Sequence, residues 1–173
     1  MGEQKRVCGK CRACCTALQV EMADGSLKPE WKRCAHLGVL GCKVYSKRPL
    51  SCASFRCGWL QGMGGREDRP DRLGVIITPV TTEGMGEHAM VHEMHAGAMQ
   101  KPRVRLLLGE LVKHTIVFHI RGDSMRRLIG GPPERLGPLM EKAHAAGVLT
   151  VNGEQAAPDV PLADLLAKHR RPA

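Results

Sequence analysis

Aromatic side chains are scarce in this chain: two Phe, two Trp and one Tyr among 173 residues. Aliphatic residues and the nine Met must therefore fill space that Phe and Tyr usually fill. The shortage also removes the stacking platform on which single-stranded nucleic acids are commonly bound. Long apolar runs are missing too. Stretches such as 75–77 and 106–108 fall far short of the roughly 18 residues of a membrane span, so no membrane partner is expected. Residues 1–6 are polar or charged after Met1 and no apolar segment follows them, so the pattern holds no signal peptide. A cytoplasmic location is expected, and there thiols stay reduced.

Cysteine is absent from the 116 residues after Cys57, although the whole chain holds eight. All eight lie in the first third, as Cys8-x2-Cys11-x2-Cys14-Cys15 followed by Cys34, Cys42, Cys52 and Cys57. In a reducing compartment that density argues for metal ligation rather than disulfides. Thiolate is a soft, anionic ligand that suits zinc, iron and iron–sulfur clusters.

The formal charge of +9 suggests a polyanionic partner only if every cysteine stays neutral. Eight thiolate charges, less the four carried by two divalent ions, take four from that +9 and leave +5. No run of five or six Lys and Arg occurs, and a solvated, modestly basic surface accounts for the balance.

Composition changes along residues 63–73, where glycine and charge concentrate around Pro70. The pattern predicts a cysteine-rich module at 1–62, a connector at 63–73 and a second region at 74–170. The first segment is poor in aliphatic residues, and so small a piece needs metal, disulfides or a partner surface to hold its shape. In the second region, 73–82 and 87–95 read as strands about a turn at 83–86. Pro102 starts a helix whose apolar face is Val104, Leu107, Leu108, Leu111 and Val112. Residues 115–120 and 124–129 read as strands. Gly130-Gly131-Pro132-Pro133 opens a helix that Gly147 ends. A short strand at 148–151 stops at Asn152-Gly153, and a last helix is expected from Pro161 with Leu162, Leu165 and Leu166. Without regular βαβ alternation the fold class is α+β: a small metal-stabilised module followed by a mixed α+β half.

The four leading cysteines supply four thiols within eight residues. On a helix, Cys8, Cys11 and Cys15 would share a face and Cys14 would point away, whereas a turn would converge another subset. The later four need tertiary folding to meet. Two four-sulfur zinc sites, one iron–sulfur cluster with spare thiols, or a polynuclear site all fit the count. The order is not the bacterial ferredoxin run. Adjacent Cys14 and Cys15 are ill suited to share one ion, and either is open to a simple packing role.

The CxxCxxCC opening, Cys34-Ala35-His36-Leu37, Gly41-Cys42-Lys43-Val44-Tyr45, Arg48-Pro49 and the closing Cys52-x4-Cys57 together resemble the YkgJ-type cysteine-cluster family. Its members are described as zinc- or iron-chelating domains, and the likeness spans residues 8–57. It implies metal chelation by Cys8, Cys11, Cys14, Cys15, Cys34, Cys42, Cys52 and Cys57. A flagellin lysine methylase carries a similar cluster.

Other features weigh less. Pro49 sets a turn before Cys52, and Arg48 is placed to support thiolates through hydrogen bonds. Trp31 and Trp59 are expected to shield a small core. His88, Met90, His92 and Met94 alternate on one strand face; core filling explains that row better than copper or iron, and His36 is the better spare ligand. The GGPP segment fits neither the P-loop nor the dinucleotide fingerprint, and no nucleophile elbow, HExxH or kinase set appears.

The expected protein is thus a metal-binding protein holding zinc or an iron–sulfur cluster, with a protein partner or substrate on the α+β half. An iron–sulfur or iron-dependent enzyme is the first alternative. A zinc-stabilised nucleic-acid or ribonucleoprotein binder is the second, through Lys5, Arg6, Lys10, Arg12, Lys32, Arg33, Lys43, Lys47 and Arg48.

Overall fold

The computed structural model describes residues 6–39, 41–122, 125–151, 154–155, 159–161 and 163–164. Contacts divide the chain into two compact units, Met1–Gly130 and Gly131–Ala173. Short helices and a mixed sheet make the fold α+β.

The first unit begins with little regular structure. Helix α1 (Ala13–Ala17) is followed by the two-residue antiparallel strands β1 (Val20–Glu21) and β2 (Leu27–Lys28). A single 3-10 turn at Tyr45–Lys47 precedes α2 (Leu50–Ser54), which starts directly after Pro49.

Residues 63–73 fold into a 3-10 turn at Arg66–Asp68 and helix α3 (Pro70–Leu73). They are tied on both sides. Asp68 accepts the Gly65 N–H at 2.7 Å and two hydrogen bonds from Arg103 at 2.8 and 2.6 Å. Arg6 donates to the carbonyls of Trp59, Met63 and Gly64. The segment is therefore anchored to the chain before and after it.

Strand β3 (Val75–Thr82) turns into β4 (Gly86–Glu93) as an antiparallel hairpin. Helix α4 (Pro102–Leu111) then returns the chain so that β5 (Ile116–Arg121) lies parallel to β4. A parallel pair needs such a crossover, because a tight turn can only reverse the chain. Antiparallel β6 (Met125–Gly130) completes the order β3-β4-β5-β6. Pro79 sits in β3, an edge strand, where its missing N–H costs no ladder bond.

Alternation gives the sheet two faces. Val75, Ile77, Ala89, Val91 and Val117 pack with Val104 and Leu108 of α4, and Leu107, Leu111 and Val112 border them. On the other face Ile76 packs with Ala13, Ala17, Leu18 and Cys57, with Trp31 and Trp59 alongside. The sheet thus lies between α4 and the cysteine-bearing segment.

The second unit holds α5 (Pro133–Ala145) and the hairpin of β7 (Thr150–Val151) with β8 (Glu154–Gln155). Gly147, at φ 65°, ends α5: its N–H bonds the His144 carbonyl and the Val148 N–H reaches Ala143. The Asn152-Gly153 turn and most of the helix expected from Pro161 lie outside the described residues.

Candidate metal centre

The CxxCxxCC stretch is a turn followed by a helix, not one continuous helix. The Cys11 N–H donates to the Cys8 carbonyl at 2.9 Å, and Gly9 at φ 53° makes the turn between them. Helix α1 starts only at Ala13, so Cys14 and Cys15 occupy its first turn. Cys14 is consequently not turned away: it packs with Cys11 and Cys57 against Ala13, Ala17 and Leu18.

The later cysteines are brought back by backbone bonds. Cys34 donates its N–H to the Cys15 carbonyl at 2.9 Å. Residues 34–42 form a tight loop, closed by a Leu37–Cys42 bridge and by Lys43 N–H on the His36 carbonyl. Gly41, at φ 132°, leaves room for Arg12, whose Nη2 would lie 2.8 Å from any Cβ there. Arg12 also donates to the Gly9 and Cys11 carbonyls at 3.0 Å, joining the two cysteine turns. Cys52 lies in α2, which Ser51 fastens to the Glu21 carbonyl. After Cys57, the Gly58 N–H bonds Ile77 of β3 at 2.7 Å.

Cys8, Cys11, Cys14, Cys15, Cys34, Cys42 and Cys52 line one cavity of about 360 Å³, together with His36, Arg12, Arg48 and Tyr45. Cys57 is outside its lining and buried. All eight are free thiols. Among the described residues, no three Cys, His, Asp or Glu side chains are disposed as a set to hold a metal ion. The seven side chains line one space without being gathered on one point.

Electrostatics within the cavity are uneven. Cys14 donates to Cys15, which pushes Cys14 up and holds Cys15 down to about 6, with Arg12, Lys28 and Arg48 assisting. Burial raises Cys11, Cys52 and Cys57; repulsion adds to it, from Cys8 on Cys11 and Cys57, and from Cys15, Cys34 and Cys42 on Cys52. Lys28 is buried, its Nζ donating to the carbonyls of Pro29 and Lys32 at 2.9 and 2.6 Å. Burial holds its ammonium below the usual lysine range, against the pull of Cys34, Cys15, Cys14 and Cys52.

The surroundings fit an anionic thiolate centre. Arg48 stacks over Tyr45 at 4.0 Å, and its buried Nε has no hydrogen-bond partner. An unsatisfied buried guanidinium N–H is costly unless an anion meets it, and ionised sulfur is such an anion. Lys28 was absent from the sequence-based candidates. Its place in an alternating pair of residues gave no sign that β2 would bury an ammonium beside thiols.

His88 and His92 belong to the sheet's interior. His88 bonds the Gly86 carbonyl at 3.1 Å and meets Phe118 edge-on at 5.8 Å. His92 lies 3.5 Å from Glu30 and is tilted against Trp31. Met94 packs in the cluster around Ile76. The GGPP segment leads into α5 with Pro133 as the first helical residue.

A second concavity, of about 550 Å³, lies beside α4 and is lined by Glu93, Arg105, His119 and Arg121 among others. Glu93 accepts the Met99 N–H and stands 3.2 Å from His119 Nε2. Sequence reading missed this pair because 26 residues separate its members and only the β4–β5 register joins them.

No helix among the described residues is long and apolar enough to cross a membrane. Comparison with known protein families, with characterised proteins and with solved structures gives no match to this chain.

Proposed function

We propose that this chain is a metal-binding protein that chelates zinc or an iron–sulfur cluster through its N-terminal cysteines, as the YkgJ-type resemblance implies. The observation that carries this reading is the single cavity lined by seven cysteines from four separate stretches of chain. The unpartnered buried Nε of Arg48 and the buried ammonium of Lys28 support it, since a multiply charged thiolate centre needs cationic donors beside it. The eight cysteines hold the metal; His36 is the spare ligand.

Bound metal would supply folding energy that residues 6–57 lack. Among their described residues, regular structure amounts to two five-residue helices, one 3-10 turn and a pair of two-residue strands. Structural zinc in small modules contributes on the order of 10 kcal/mol, enough to decide whether such a segment is folded. The reading of residues 1–62 as a metal-stabilised module belongs to this proposal.

The iron–sulfur or iron-dependent enzyme stands second, with the cavity's open side as its substrate approach. The nucleic-acid binder stands below both, because Arg12 and Arg48, two of its basic residues, line the thiol cavity.

Anaerobic purification followed by the visible spectrum and zinc, iron and acid-labile sulfide content tests the proposal. A colourless protein with zinc, or a brown one with iron and sulfide, is the expected result. A metal-free protein with paired thiols overturns it.

A further inference from the structure

We propose that the concavity beside α4 is a binding site for a small organic monocarboxylate, which Arg105, Arg121 and His119 meet at its charged end and α4 and β6 at its apolar end. This goes beyond the metal-binding reading and does not depend on it. The concavity lies on the α4 face of the sheet, and the cysteine segment packs on the other.

Strand alternation builds the polar side. Glu93 follows Ala89 and Val91 on the face toward α4, and His119 and Arg121 follow Val117. Strands β4 and β5 are parallel, so Glu93 and Arg121, the last residue of each, stand at the same carboxyl end. Helix α4 is the crossover between them and brings Arg105 to the same space. Open α/β sheets bind ligands at the carboxyl ends of their parallel strands.

Charge sets the sign of the ligand. Glu93 is buried, with the Met99 N–H, His119 and Arg121 as its polar neighbours. The lining carries two guanidiniums against this one carboxylate. Burial keeps the His119 ring below the ordinary histidine value and so neutral at pH 7. One positive charge in the lining is left over, which suits a monoanion better than a dianionic phosphate ester. His119 Nε2 is itself buried and, although 3.2 Å from Glu93 Oε2, is not aligned with it as a hydrogen bond.

Two backbone features shape the apolar side. Gly109 stands inside α4, where glycine costs stability relative to alanine, yet a Cβ there would meet nothing within 4 Å. No close packing calls for this glycine; it borders the concavity, which a large side chain would enter. In β6 the pairing with β5 passes from Leu128 to Gly130 and leaves Ile129 without a register partner. A bulge of this kind re-aims a side chain, and Ile129 lines the concavity with Leu108 and Val112. At about 550 Å³ the space falls within the roughly 300–1,000 Å³ of small-molecule sites.

Titration of the full chain with benzoate, followed by NMR of the His119 ring and the Met99 methyl group, tests the site. Saturable shifts of both are expected. The His119 midpoint should move up, because a second carboxylate joins Glu93 against the charges of Arg121 and Arg127. Benzamide, the uncharged counterpart, should move neither. Arg105→Gln and Arg121→Gln should each weaken benzoate binding by roughly tenfold. Gly109→Leu should abolish the shifts while far-UV circular dichroism stays native, since Gly109 is exposed. No saturable shift from benzoate, hexanoate or phenylacetate overturns the proposal, and so does benzamide binding as well as benzoate. Inorganic phosphate that displaces benzoate at equal concentration overturns the monocarboxylate assignment. These ligand comparisons use wild type alone and decide the matter even if a variant misfolds.

Discussion

The Cys34 N–H donates to the Cys15 carbonyl at 2.9 Å, so residues 19 apart in sequence meet backbone to backbone before any ligand is considered. That bond fixes where the second group of cysteines returns to the first. If metal holds this region, chelator should raise hydrogen exchange at the amides of Cys11 and Cys34. The amides of Val91 and Val117, in the paired sheet interior, should stay protected. Equal loss of protection in both places would mean that the sheet depends on the metal as well.

Ile76 is 1% exposed, on the sheet face that the cysteine segment covers. Ile76→Ala removes buried methyl groups at that junction and should cost about 2–5 kcal/mol in urea unfolding. A cost under about 1 kcal/mol would show that the segment does not press on the sheet there.

Lys28→Met keeps the stem's apolar bulk and removes the charge beside Cys34, Cys15, Cys14 and Cys52. Zinc affinity should fall by roughly 10–100-fold, the usual effect of losing an outer partner. Competition with a chromogenic chelator measures it. Unchanged affinity would reduce Lys28 to a structural lysine.

Arg103 holds the Asp68 carboxyl below the usual carboxylate range, and the Gly65 N–H adds to the effect. A lowered folded-state value means that the stabilisation is complete above the unfolded value, about 3.9, and disappears as pH falls through the folded one. Asp68→Asn should therefore lower Tm at pH 7 by more than it does at pH 2. A Tm gap of the same size at both pH values would show that shape rather than charge holds the connector.

Burial holds His92 and His119 below the ordinary histidine value, with Glu30 and Glu93 pulling the other way. Both rings are thus neutral in the fold at pH values where the unfolded chain is already protonated. Their contribution is present above the unfolded value, about 6.5, and is lost as pH falls from there through the lower folded values. Tm should drop between pH 7.5 and 5.5. In Glu93→Gln the His119 midpoint, followed by NMR, should move lower still; an upward move would show that Glu93 does not act on the ring.

Some of this was written in the chain. Val104, Leu107, Leu108, Leu111 and Val112 mark one helical face, and α4 turns that stripe toward the sheet. Gly147 ends α5 because only a residue at ease at positive φ can make that cap. The alternating His88, Met90 and His92 gave a strand whose core role is now visible in their burial. These features depend on residues within a turn or two of each other.

The cysteines set the other limit. Their number, order and short spacings are local facts, and they sufficed to name the candidate site residues. Whether Cys14 turns toward Cys11 depends on where α1 begins, and a sequence compatible with both a turn and a helix does not decide that. Where the later cysteines return along the earlier ones depends on the Cys15–Cys34 backbone bond, the Leu37–Cys42 bridge and the anchoring of Gly58 on β3. The same holds for Glu93 and His119, brought together by parallel strand register, and for Lys28 beside the thiols. Sequence alone determined the chemistry of these side chains, because a thiol's softness travels with the residue. Only tertiary structure decided which cysteines share one cavity and which cations stand beside them, because both depend on distances through space.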